Sequence, residues 1–135
     1  MTLLSFLKLY AVAVVTFFVI DLLWLGVIAR GFYQAQIGHL LKPNVNWAAA
    51  LAFYLIFVAG IVVLAVRPAV ESESLLVAIA LGALLGLVTY AAYDLTNLAT
   101  LEGFPLTVAV VDMIWGMVLC GSVSAITYLA STRLL

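Results

Sequence analysis

Four apolar stretches, each long enough to cross the hydrocarbon core of a bilayer, take up most of this chain. A transmembrane helix needs about 20 apolar residues, and residues 5–29, 47–66, 75–99 and 105–130 supply four such runs within 135 residues. Composition agrees: 8% of residues are charged and 68% hydrophobic, against about 25% charged in a soluble domain. Eleven charged side chains cannot coat a water-facing surface of this size, so the expected solvent is lipid. The sequence predicts an all-α polytopic membrane protein, one domain over 1–135 with four transmembrane helices. No room is left for a separate soluble catalytic domain. A net charge of −1 offers no basic face to a phosphate backbone, which argues against a nucleic-acid partner.

The first run carries one charge, Asp21. Val27, Ile28 and Ala29 have the small-residue spacing of a signal-peptidase site, but the apolar stretch exceeds the roughly 7 to 15 residues of a signal peptide and contains an aspartate. It reads as a retained span. The second run has no charge and is expected to stop at Arg67 and Pro68, because proline cannot extend a helix and the arginine can reach headgroups. Glu71, Ser72, Glu73 and Ser74 suit the start of the third helix, which carries only Asp94. Pro105 is expected at the first helical position of the fourth, which carries only Asp112. Residues 31–42 are too short and polar to span. Within them Tyr33, Ile37, Leu40 and Leu41 share one helical face, which predicts a short interfacial segment between helices 1 and 2, an ordinary loop being the alternative. His39 there reads as an exposed loop residue.

Three aspartates inside spans each cost about 2.5 to 3.5 kcal/mol to insert, so each needs a partner or a purpose. Asp21, Tyr54, Asp94 and Asp112 lie eight to ten residues inward from Arg30, Asn46 or Glu102, a depth of roughly 12 to 15 Å. Each helix thus sends a polar group to one layer. Tyr90 and Asn97 share a face with Asp94, and Gly82 and Gly86 continue that row, a small-residue stripe that lets a helix approach closely, either within the chain or in a homo-oligomer. Trp24 and Trp115 each sit one turn from an aspartate, where an indole N–H can donate to a carboxylate on its own or a neighbouring helix, although packing alone also accounts for them.

Carboxylates sharing a layer repel one another until one takes a proton or a cation arrives. The cluster therefore predicts a site for a proton, a cation or a small ligand. Asp21, Asp94 and Asp112 would suit a hard cation, while the absence of histidine or cysteine ligands at depth argues against zinc. Cys120 is the single cysteine and reads as a small hydrophobe. There is no disulfide, haem or nucleotide signal and no glycine-rich phosphate motif.

The string Tyr93-Asp94-Leu95-Thr96-Asn97, with Asp21-x-x-Trp24-Leu25-Gly26 before it and Asp112-x-x-Trp115-Gly116 after it, resembles a family of small bacterial membrane proteins catalogued as a domain of unknown function. Phe104 stands before Pro105 where that family leads us to expect tryptophan, a departure that touches only an interfacial anchor. The resemblance implies a bacterial inner-membrane protein and supplies no activity. Lys8, Arg67 and Arg133 fall on the side of the termini, against Arg30 and Lys42 on the other, which predicts cytoplasmic termini.

Three functions fit these residues. The first is binding or translocation of a proton, cation or small hydrophobic ligand through Asp21, Asp94 and Asp112, lined by Tyr54, Tyr90, Asn97, Trp24 and Trp115. The second is an enzyme acting on a lipid or isoprenoid, with one aspartate as acid and another as base. The third is a structural or accessory subunit whose polar layer specifies packing.

Overall fold

A computed structural model describes all 135 residues as an all-helical bundle. Its four spans are Leu3–Ile28, Trp47–Glu71, Leu75–Thr100 and Leu106–Leu134. Short polar side chains start three of them: Thr2, Asn46 and Ser74 accept from the backbone N–H of Ser5, Ala49 and Val77 at 3.1, 3.1 and 3.2 Å. Each satisfies a donor that the helix itself leaves unpaired. Pro105 precedes the fourth span in extended backbone (φ −77°, ψ 142°), one position earlier than expected, so Leu106 is the first helical residue.

The second span does not stop at Pro68. It continues to Glu71 after a widened π turn over Val62–Val66. The N–H of Arg67 donates to the carbonyl of Val62, five residues back, and this wider turn accommodates a ring that in a regular helix would clash with a carbonyl four residues earlier. A second π turn, Trp24–Ile28, ends the first span. Beyond it the chain reverses at Ala29 (φ −108°, ψ 5°) into a short connecting helix, Arg30–Ile37. Part of the apolar face of this segment packs on the bundle: Ile37 is buried with Phe104, Val108 and Ala109, while Leu40 and Leu41 stay exposed. Phe104 therefore fills protein interior. His39 is exposed.

The core inverts the arrangement of a soluble protein. Only 28 residues are buried, while Val15, Ile56, Leu76, Val88 and Ile114 stand on the outside. Helices that are apolar on every side need lipid around them. Leu9, Ala13 and Phe17, one turn apart, pack with Phe57, Val58, Ile61, Val62 and Val66 of the second span and Leu119, Cys120 and Val123 of the fourth. Cys120 is buried there as a free thiol.

The third and fourth spans meet almost backbone to backbone. A Cβ on Gly82 would lie 2.6 Å from the Cys120 carbonyl oxygen, one on Gly86 would run into the Gly116 carbonyl, and one on Gly116 would run into the Tyr90 ring. The glycine stripe is thus occupied within the chain, which removes it as a dimer face. The N-terminal half of the second span packs on the first, and its C-terminal part, Val62–Glu71, packs on the third. The other end of the bundle is left splayed.

Because backbone lies where the new methyl would go, Gly86→Ala is expected to destabilise the bundle by about 1 to 3 kcal/mol. Gly60→Ala, whose Cβ would meet nothing within 4 Å, should stay within about 0.5 kcal/mol of the parent. Thermal unfolding in detergent, followed by circular dichroism, checks both; equal behaviour of the two variants would contradict the close approach.

Candidate functional site

The splayed end encloses a cavity of about 700 Å³ lined by 16 residues, 11 of them hydrophobic. Its carboxylates are Asp21 from the first span and Asp112 from the fourth. Tyr54, Tyr90 and Trp115 complete the part of the wall predicted from sequence. Size and lining match sites that take small, mostly apolar molecules through a few placed polar groups.

Aromatic donors hold both carboxylates. Trp115 Nε1 donates to Asp21 Oδ1 at 3.1 Å, and the Tyr54 hydroxyl donates to Asp21 Oδ2 at 3.2 Å. A hydrogen bond to a charged acceptor contributes about 1.5 to 3 kcal/mol, so two of them offset the roughly 2.5 to 3.5 kcal/mol of placing an aspartate in a span. On the facing wall Tyr33 donates to Asp112 Oδ1 at 2.7 Å, and its own oxygen accepts from Trp24 Nε1 at 3.3 Å. The two indoles stack, centroids 4.4 Å apart and planes 10° from parallel. Neither tryptophan serves the aspartate three residues before it; each serves the other arm, Trp115 directly and Trp24 through Tyr33.

Asp94 is placed differently. It is fully buried, outside the lining, and neither of its oxygens meets a donor. The Asp112 carboxyl, itself an acceptor, is its neighbour on the fourth span. Helical spacing explains the meeting. Gly82, Gly86, Tyr90 and Asp94 form a row at four-residue intervals, and Ser124, Cys120, Gly116 and Asp112 form the antiparallel row against it. Glycine contacts fix the register at Gly82 with Ser124, Gly86 with Cys120 and Tyr90 with Gly116, and the next step sets Asp94 against Asp112. Asn97, one turn further on, lies beside Tyr93 and does not line the cavity.

A site for a hard cation held by all three aspartates is not assembled: no three acidic, histidine or cysteine side chains gather closely enough to hold a metal ion. Both Asp21 oxygens are taken by donors, and Asp94 stands behind Asp112. What the arrangement presents to the cavity is one well-braced carboxylate, Asp21, and one more open, Asp112.

Sequence reasoning did not place Tyr33, Arg30, Gln34, Thr89 or Tyr93 in the site, and all five line the cavity. The signal for Tyr33 was its place on the apolar face of the connecting segment, with the bundle and not lipid as the partner of that face. Burial pushes the Tyr33 hydroxyl above the ordinary tyrosine range, the Trp24 donor pulls it back, and the Asp112 charge raises it further. It remains an O–H donor through neutral pH. Arg30 and Gln34 are exposed and stand at the rim. The chain's ion pair, Arg67 with Glu71 at 2.9 Å, is remote from the cavity.

Stacked aromatic pairs contribute about 0.5 to 1.5 kcal/mol beyond their burial. A double-mutant cycle with Trp24→Ala and Trp115→Ala is expected to show coupling of about that size in reversible unfolding titrations. Strictly additive losses would mean that the rings do not touch.

Neither the curated proteins nor the solved structures contain a match to this chain. Residues 6–129 match the family described as predicted membrane protein DUF2177, a domain of unknown function. That stretch covers all four spans except their outermost ends and includes every cavity residue described above. The chain belongs to this family of integral membrane proteins, and its four helices are long and apolar enough to cross a bilayer.

Proposed function

We propose that this protein binds, within a bacterial inner membrane and with its termini in the cytoplasm, a small and largely apolar molecule carrying a cationic or hydrogen-bond-donating group, and that it holds or translocates that molecule. The observation that carries this reading is the cavity itself: about 700 Å³, mostly apolar, with Asp21 and Asp112 in its wall. An apolar body is drawn in by the walls, and Asp112, which accepts a single hydrogen bond from Tyr33, has capacity for a ligand donor. Asp21, held by two aromatic donors, supplies charge without moving. Specificity follows from desolvation, because a ligand with neither a donor nor a positive charge would leave Asp112 facing apolar surface. A purely structural role for the polar layer would not call for a cavity of this size beside it, with Asp112 in its wall.

Tryptophan fluorescence offers a direct test. Trp47 is exposed at the start of the second span, so Trp47→Phe leaves only Trp24 and Trp115 as reporters beside the cavity. A long-chain primary amine and the hydrophobic cation tetraphenylphosphonium are expected to change this emission saturably, and a fatty acid of the same chain length is not. Asp112→Asn should weaken amine binding about tenfold, the equivalent of about 1.4 kcal/mol. No saturable change with either cation, or equal binding of the fatty acid, would overturn the proposal. Mass spectrometry after incubation with bacterial lipid extract addresses the enzymatic alternative, which requires a new lipid product that disappears in Asp112→Asn.

A further inference from the structure

Asp94 is a fully buried acid with no donor on either oxygen. Its surroundings contain no cation to account for it. The register of the third and fourth spans sets Asp112 opposite it, its charge is felt by the Tyr33 and Tyr93 hydroxyls, and Asp21 shares the cavity wall with Asp112. All of these are acids or neutral hydroxyls. Arg30 at the rim makes no ion pair. Two carboxylates set opposite each other, one of them fully buried and neither paired with a cation, repel each other; a single proton shared between them removes the conflict and supplies the missing donor.

Which oxygen carries that proton follows from the hydrogen bonds. Asp112 Oδ1 accepts from Tyr33 at 2.7 Å, a donor that favours the charged form of the carboxylate it serves. Asp94 accepts from nothing and has only an acceptor opposite. We infer that Asp94 is a carboxylic acid whose O–H donates to Asp112, and that the two form a one-proton site in the cavity wall with Asp112 as its open face.

The inference goes beyond the ligand reading and does not depend on which molecule fills the cavity. It gives the site a defined exchange. A neutral amine in the cavity that takes the pair's single proton, relayed from Asp94 through Asp112, becomes an ammonium ion, while the pair goes from one negative charge to two. The new cation stands beside the charge it created, and no other reactant is needed. Once the ammonium ion has left, a hydronium ion from the surrounding water returns a proton to the pair through Asp112 and leaves as water.

Infrared spectroscopy of the ligand-free protein in detergent, compared between H₂O and D₂O, reads the proton directly through the C=O stretch of a protonated carboxyl group. The wild type at pH 7 should show such a band, moving to lower frequency in D₂O. It should disappear in Asp94→Asn, whose amide N–H can replace the O–H donor and keep the fold, and should remain in Asp21→Asn. Absence of the band in the wild type, or its persistence unchanged in Asp94→Asn, would overturn the inference. Should Asp94→Asn not fold, Asp112→Asn provides the second reading: the Asp94 proton then meets a neutral amide in place of a carboxylate, so the band must shift, and an unmoved band counts against the pair. No ligand enters these measurements, so their failure is distinct from failure of amine binding.

Discussion

The close approach of the third and fourth spans sets the geometry on which the rest depends. With Gly82 and Gly86 against Cys120, Gly116 and Ser124, two antiparallel helices are locked at one register, and every further turn along the pair is determined by it. Tyr90 is set against Gly116, and one turn later Asp94 is brought to Asp112. Neither acid could choose a different neighbour without sliding the helices, and sliding would drive a side chain into backbone. In lipid there is no hydrophobic force to hold helices together, so small residues that allow dense packing take over that task. The same stripe that supplies cohesion therefore also delivers two acidic groups to one point.

A bilayer offers no water to a buried polar group, and this chain answers with aromatic donors where a soluble protein would use cations. Trp115, Tyr54, Tyr33 and Trp24 contribute four N–H or O–H groups, all aimed at Asp21, Asp112 or each other. Such side chains carry a donor on a large apolar body, so they enter the hydrocarbon at little cost compared with lysine or arginine. They also leave the negative charge of the cavity wall uncancelled. A lysine in place of Tyr54 would neutralise Asp21 and remove the attraction for a cationic guest.

The spans and the depth of the acidic layer were legible in the sequence, because both depend on counting along single helices. Apolar runs near 20 residues and one aspartate per run were enough to place Asp21, Tyr54, Asp94 and Asp112 in the same half of the bundle. What counting could not supply was the pairing between helices. The hard-cation arrangement assumed three acids around one point, whereas the register of Gly86 on Cys120 puts Asp94 behind Asp112 and leaves Asp21 with its own donors. The same missing register left the glycine stripe open to a dimer. Pro68 misled for a local reason: a π turn just before it makes room for its ring, and π turns have no compositional mark. Tyr33 was overlooked because an amphipathic face says that a partner exists without saying whether that partner is lipid or protein.

The crossed service of the two Asp-x-x-Trp arms has a mechanical consequence. Were each indole bound to the aspartate on its own helix, the first and fourth spans could separate without breaking a polar contact. Instead Trp115 reaches from the fourth span to Asp21, while Trp24 reaches from the first to Tyr33 and through it to Asp112, and the two rings stack where these paths cross. Separation would cost both bonds and the stack together, so the two spans and the connecting helix behave as one braced unit around the cavity. Tyr33 is the one link that lies outside the membrane-spanning segments, carried on a short helix that a π turn and a backbone reversal at Ala29 detach from the span before it. Its hydroxyl also holds Asp112 Oδ1 from the connecting-helix side. Any motion of the connecting helix is therefore felt first as a change in how strongly Asp112 is held, which ties the roof of the cavity to the acid pair in its wall without any rearrangement of the spans themselves.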